Sequence, residues 1–83
     1  MSSATQNLAE HFAHCIQVFG GLTAASRRLG IDERSLRRFA NGERPVSAQL
    51  MHDTAQALQT LIAEATAAQE HIAASLGAAS AAP

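Results

Sequence analysis

Lysine, tryptophan and tyrosine are absent from this chain, and Cys15 is its only cysteine. A single cysteine excludes an intramolecular disulfide and favours a reducing, intracellular setting. No apolar run approaches the roughly 20 residues that a membrane-spanning helix needs. The first residues show neither the basic nor the apolar segment of a signal peptide. We therefore expect a soluble, cytoplasmic protein without a membrane partner.

Aromatic, β-branched and proline residues are also scarce. Phenylalanine occurs three times and proline twice, while alanine dominates the 47% of hydrophobic residues. Alanine, leucine, arginine, glutamine and glutamate favour helices, and strands would need more β-branched side chains. A chain of 83 residues allows one domain with a small core. The composition predicts an all-α fold in a single compact domain.

Basic residues are confined to the window 27–44. All six are arginines, namely Arg27, Arg28, Arg34, Arg37, Arg38 and Arg44. Three acids in the same window, Asp32, Glu33 and Glu43, leave a local charge of +3, although the whole chain carries −1. A guanidinium group donates two parallel hydrogen bonds, as a phosphate or the edge of a guanine requires. The alternative is a solvated face on which the arginines pair with these three acids.

Hydrophobic periodicity and glycines divide the chain into four helices. We predict helices over 5–19, 24–29, 33–40 and from 48 to about 76, with Thr23, Asp32 and Ser47 as N-caps of the last three. Glycines lie between the first three helices and after the third. The predicted organisation is a disordered stretch over 1–4, a domain over 5–62, a helical extension over 63–76 and a disordered tail over 77–83.

The segment 22–41, LTAASRRLGIDERSLRRFAN, has the pattern of a helix-turn-helix. Ser26 is small where the two helices would approach each other, and Gly30 lies at the turn. Leu36 and Phe39 would hold the second helix on the core. A tight turn sets the second helix across the first and exposes its N-terminal half, as entry into the major groove requires.

The chain resembles the lambda-repressor-like (Xre/Cro) DNA-binding domains of phage and plasmid regulators, and among them the short YdaS-like regulators. The resemblance lies in the segments 20–25, 29–31 and 41–46, and it extends over about 8–62. Many such proteins have glutamine at the start of the second helix, where this chain has Leu22 and Thr23. The resemblance implies base contacts by Glu33, Arg34, Arg37 and Arg38, and phosphate contacts by Thr23, Arg28, Asn41 and Arg44. From the residues alone, Arg27 and Arg28 are more weakly placed: one of the two is expected to pair with an acid or to lie along the backbone, and the other to be exposed.

An apolar stripe continues along the last helix past the residues that the core needs. We expect it to form a two-fold homodimer through Leu58, Leu61, Ile62, Ala65, Ile72 and Leu76. The second helix of each helix-turn-helix, the recognition helix, would then bind one half-site of a near-palindromic operator. The two half-sites would lie one DNA turn or about 34 Å apart. The predicted function is a bacterial or phage-encoded repressor that binds double-stranded DNA and is nucleoid-associated when bound.

Other functions find less support in the sequence. His11, His14 and Cys15 lie within one helical turn, but no fourth residue has a spacing that would complete a metal site. No glycine-rich phosphate loop, carboxylate pair or nucleophile with a base is present, so we expect neither an enzyme nor a cofactor. The alternative is an antitoxin or adaptor that binds a protein partner through the long helix, with or without autoregulatory DNA binding.

Overall fold

Four α-helices make up the fold. The computed structural model describes the backbone of residues 3–81 and the side chains of residues 7–77. The helices are α1 (Ser3–Phe19), α2 (Leu22–Leu29), α3 (Glu33–Ala40) and α4 (Ala48–Ala81). The predicted all-α fold with a long C-terminal helix is confirmed.

The junction of α1 and α2 is tighter than the sequence suggested. Gly21 is the N-cap of α2 with φ of 110°, and the cap makes no side-chain hydrogen bond. Its N–H donates to the Ile16 carbonyl at 2.9 Å, so the chain reverses directly after α1. Thr23 was therefore wrongly predicted as the N-cap, because a glycine at positive φ lets the helix begin at Leu22. Leu22 thereby joins the edge of the core.

The turn between α2 and α3 follows the prediction. Gly30 takes the left-handed conformation, with φ of 69° and ψ of 29°, and its N–H donates to the Ser26 carbonyl. Asp32 caps α3, accepting from the Ser35 N–H at 3.1 Å and from the Ser35 hydroxyl at 2.7 Å. These hydrogen bonds lower the pKa of Asp32, the hydroxyl of Ser35 first and its N–H second. The first residue of α3 is thus fixed by a glycine and by an ionised cap.

The core lies where the first three helices meet the first half of α4. Phe12, Leu36 and Thr54 are its largest fully buried side chains. Phe12 packs edge-on against Phe39, with ring centroids 5.9 Å apart, and so joins α1 to α3. The Thr54 hydroxyl donates to the Leu50 carbonyl at 2.7 Å, which satisfies the one buried polar side chain among the described residues.

The connector from α3 to α4 is held by local hydrogen bonds. Asn41 accepts from the Glu43 N–H at 3.0 Å and donates through its amide to the Glu43 carboxylate at 3.2 Å. Ser47 caps α4 as predicted, because its hydroxyl accepts from the Leu50 N–H at 3.0 Å. Val46, directly before this cap, is buried in the core. α3 is thereby tied to the N-terminal end of α4.

α4 runs without a break for 34 residues. The predicted disordered tail over 77–83 is wrong up to residue 81, because the helix passes through Gly77 and continues among alanines. One glycine costs a helix only about 1 kcal/mol relative to alanine, and alanine is the best helix former. The predicted disorder over 1–4 is likewise wrong from Ser3 onward, where α1 begins. Residues 1–2 and 82–83 lie outside the described part. The molecule measures 65 × 22 × 16 Å, since the second half of α4 extends past the core.

Candidate nucleic-acid interface

α3 turns its apolar residues to the core and its arginines to solvent. Leu36 is fully buried and Phe39 packs against the core. Arg34, Arg37 and Arg38 are exposed on the other side. At about 100° per residue, these three side chains spread over about 100° of the helix circumference. A single exposed face of α3 therefore presents three guanidinium groups, as the sequence predicted.

The acids of the window 27–44 are occupied by neutral donors. Asp32 accepts from Ser35, Glu33 from the Thr23 hydroxyl and Glu43 from the Asn41 amide. The single ion pair within the window, among the described residues, joins Arg38 Nε to Glu43 Oε2 at 3.9 Å. Arg34 and Arg37 make no ion pair or side-chain hydrogen bond within the described part of the chain. The pairing with these three acids that the alternative interpretation expects is thus found for Arg38 and not for Arg34 or Arg37.

Thr23 and Glu33 bind each other across the start of both helices. The Thr23 hydroxyl donates to Glu33 Oε2 at 3.1 Å, which joins the first turn of α2 to the first turn of α3. The predicted phosphate contact of Thr23 and the predicted base contact of Glu33 would each have to compete with this bond. Glu33 is half-buried, and its negative charge is favourable at the N-terminus of α3. In this structure the pair serves to orient the two helices.

Arg44 and Asn41, two predicted phosphate contacts, lie in the connector beside α3. The Arg44 guanidinium carbon lies 4.9 Å from the centroid of the Phe39 ring, as in a cation–π contact. This stacking leaves the guanidinium N–H groups available to an anion. Asn41 is used differently, since both ends of its amide bind Glu43. The structure therefore keeps Arg44 suited to a phosphate contact and gives Asn41 a role in shaping the turn.

Arg28, also predicted to bind phosphate, is engaged elsewhere. Its guanidinium donates to Glu64 Oε1 at 2.8 Å, which ties α2 to the middle of α4 and lowers the pKa of Glu64. The sequence predicted that Arg27 or Arg28 would pair with an acid or lie along the backbone, and in the structure Arg28 pairs with an acid. The acid is 36 positions away, so no local pattern could have named it. Arg27 is exposed and makes no ion pair among residues 7–77.

A second surface, the exposed stripe, runs along the second half of α4. Ile62, Ile72 and Leu76 are 63%, 59% and 62% exposed, and Ala65 and Gln69 lie exposed between them. Leu58 and Leu61 were also predicted as dimer residues. Both are half-buried and pack against the core of their own chain, so they are not part of the exposed stripe. The core thus ends at Leu61, and the large apolar side chains of the stripe beyond it are exposed.

The described residues form no other evident chemical site. No three histidine, cysteine, aspartate or glutamate side chains in the described part are grouped so that they could hold a metal ion. Cys15 faces the core, and burial raises the pKa of its thiol. Within residues 3–81, no helix has both the length and the apolarity needed to cross a membrane. The two surfaces that stand out are the arginine face of α3 and the exposed stripe of α4.

No protein-family description, curated protein or solved structure matches this chain.

Proposed function

We propose that the chain is a sequence-specific regulator of transcription that binds double-stranded DNA through α3. One observation carries this proposal: Arg34 and Arg37 stand exposed on the same helix while the neighbouring acids are held by Ser35, Thr23 and Asn41. Each of these exposed guanidinium groups can donate two hydrogen bonds to the O6 and N7 atoms of a guanine in the major groove. The resemblance to Xre/Cro regulators agrees with this use of α3.

Arg38 and Arg44 extend the same surface toward the DNA backbone. Arg38 is held by Glu43 only at 3.9 Å, a weak exposed pair that a phosphate would replace at little cost. Arg44 stacks on Phe39, which restricts its orientation before any contact is made. Around this face the protein is acidic, since Glu10, Asp53, Glu64 and Glu70 all lie outside the arginine window. Repulsion elsewhere on the surface would favour docking through α3.

Substitution of single arginines tests the proposal. We expect Arg34→Ala and Arg37→Ala each to weaken binding to a duplex selected from random DNA for binding the unmodified protein. The loss should be about 5- to 150-fold, the equivalent of 1–3 kcal/mol per base contact. Arg27→Ala is the matched control, since it removes the same charge from an exposed position on α2. Arg27→Ala should change the affinity only slightly, and by the same factor for the selected and the scrambled duplex. Fluorescence anisotropy with the selected duplex and a scrambled one measures both effects.

Unchanged affinity in both α3 variants, with their helical circular dichroism intact, would refute the assignment. Equal weakening by all three substitutions would also refute it, because the arginines would then act only through net charge. A salt titration adds an independent criterion, since log K should fall by about 0.9 per phosphate neutralised.

We further infer that the protein acts as a homodimer, of the kind that represses a near-palindromic operator, and that it works in the cytoplasm at the nucleoid. The exposed stripe supports a dimer, because three large apolar side chains 59–63% exposed are costly to leave in water. A second copy supplies the same surface and would place two arginine faces on one duplex.

The same stripe supports one alternative function. An antitoxin or adaptor would use it to bind a helix of a different protein. Without autoregulatory DNA binding, this alternative predicts a monomer in sedimentation at micromolar concentration and no salt-dependent affinity for any duplex from a random library. A dimer with such affinity would exclude that form of the alternative.

A further inference from the structure

The exposed stripe continues the side of α4 that faces the core. Thr54 marks the centre of that side, being 1% exposed. Ile72 follows Thr54 by about five whole helical turns, and Leu76 follows Leu58 by the same interval, so each pair shares a face. The first half of α4 packs against α1 and α2 on this face, whereas no helix of the described part of the chain packs against the second half.

We propose that two copies of α4 pair antiparallel through this stripe, with the two-fold axis between Glu70 and His71. The proposal rests on the homodimer inferred above and adds its direction and register. The positions 62, 65, 69, 72 and 76 follow the alternating three- and four-residue spacing of a coiled-coil seam. A second copy of this chain is the occupant we infer, because in the register given below the large and small side chains of two such seams are complementary.

A parallel pair is excluded by the position of the core. Packed helices lie about 8–10 Å apart. In a parallel pair, α1 and α2 of both copies would have to fit between the two α4 helices at the same end. Two extra helical layers would force that end about 25–30 Å apart, while the stripe needs 8–10 Å. A continuous helix such as α4 does not reconcile the two distances.

The register of the antiparallel pair is limited by the core of each copy, which covers the first half of α4. With the axis between Glu70 and His71, Ala65 faces Leu76 of the second copy and Gln69 faces Ile72 of the second copy. Large side chains thus meet small or flexible ones, which keeps the helices evenly spaced. Sliding the helices by one heptad toward a shorter overlap would remove pairs of facing side chains from the seam. Sliding them the other way would drive the end of one α4 into the core of the other, beside Leu58.

The positions of the polar and charged side chains around α4 are compatible with this seam. Glu64, Glu70 and His71 point about 120–140° away from the middle of the stripe, so no like charges meet across it. Gln69 lies beside the two-fold axis, where its amide can donate to and accept from the same amide of the second copy. A single paired polar residue in an apolar seam is a known means of fixing register.

Cysteine cross-linking tests the direction and the register without DNA. In a Cys15→Ala background, Ala65→Cys and Leu76→Cys are made as separate proteins and then mixed in a glutathione redox buffer. We expect a covalent dimer only in the mixture. In either protein alone the two cysteines would lie 11 positions apart along the seam, about 16 Å, beyond the roughly 7 Å between Cα atoms that a disulfide spans.

A second measurement leaves the seam untouched. A nitroxide at Gln59→Cys, an exposed site near the core end of α4, should give a separation of about 35 Å or more between the two copies. A parallel pair would place the two labels at the same height along α4, so their separation would be set by the width of the packed helices alone, about 25–30 Å or less. A monomer in sedimentation, cross-linking of either protein by itself, or a short nitroxide distance would each overturn the arrangement. An antiparallel dimer that binds no duplex would overturn only the proposed function.

Discussion

At the scale of single residues, neutral donors decide which charges remain available. Ser35, Thr23 and Asn41 each bind one acid of the arginine window. Without those bonds, Asp32, Glu33 and Glu43 would be the natural partners of the arginines. The exposed cations of α3 are thus a consequence of how its acids are bound, as much as of how many arginines it contains.

The Asp32 cap has a pH dependence that can be measured. Because its folded pKa is lowered by the hydroxyl and N–H of Ser35, the stabilisation is fully present above the unfolded pKa, about 3.9. It is lost as pH falls through the lower folded pKa. We expect Asp32→Ala to lower Tm by a constant amount from pH 8 to 5, with the difference shrinking below about pH 4.

Thermal melts followed by circular dichroism provide the measurement. Asp32→Asn is the matched control, since one amide oxygen can still cap the helix but cannot lose a proton in this range. The Tm of Asp32→Asn should lie between those of the wild type and Asp32→Ala. A difference between wild type and Asp32→Ala that grows on acidification would contradict the assignment of the cap.

At the scale of elements, Gly30 ends a helix whereas Gly77 lies within one. Gly30 has φ of 69°, a conformation that costs other residues strain, whereas Gly77 lies inside α4 with nothing near the position of an added Cβ. We expect Gly30→Ala to destabilise the fold by about 1 kcal/mol or more. Gly77→Ala should increase helicity and stabilise α4 by up to about 1 kcal/mol. Urea titration and the signal at 222 nm report the two effects, and the same sign for both would contradict the structure.

The exposed stripe makes an equally specific prediction for α4. Ile72→Glu should convert the dimer to a monomer, because two carboxylates would be buried in the seam. Ala74→Glu places the same charge on the opposite side of the helix and should leave the dimer intact. Sedimentation velocity over a concentration series distinguishes them. Dissociation by both variants would indicate a charge effect unrelated to the stripe.

At the scale of the whole molecule, α4 would set the distance between the two arginine faces of the proposed dimer. The connector fastens α3 near Ala48, and about 22 residues separate that end from the proposed two-fold axis, a length of about 34 Å. Doubling this length gives about 68 Å, or two turns of DNA, in place of the single turn expected from sequence.

Selection of bound duplexes from random DNA measures this spacing directly. We expect inverted half-sites whose centres lie about 20–21 base pairs apart. Half-sites one turn apart would contradict the antiparallel arrangement and leave the role of Arg34 and Arg37 intact.

The sequence by itself determined the features that depend on near neighbours. Apolar spacing placed the helices, while Gly30, Asp32 and Ser47 determined where α3 and α4 begin, because caps and turns act within four residues. Clustering of arginine in the window 27–44 indicated the face of α3. The Thr23 cap and the tail were predicted wrongly, since a second glycine turned the chain earlier and one glycine did not stop an alanine-rich helix.

Only the tertiary structure decided which residues are bound and which are available. The Arg28–Glu64 pair, the Thr23–Glu33 bond and the stacking of Arg44 on Phe39 arise from packing between helices. Of these, Arg28–Glu64 spans 36 positions, and no sequence spacing encodes it. Leu58 and Ile72 belong to one apolar pattern, yet the packed helices cover Leu58 and leave Ile72 exposed. The difference is where α1 and α2 end along α4, which only the assembled core defines.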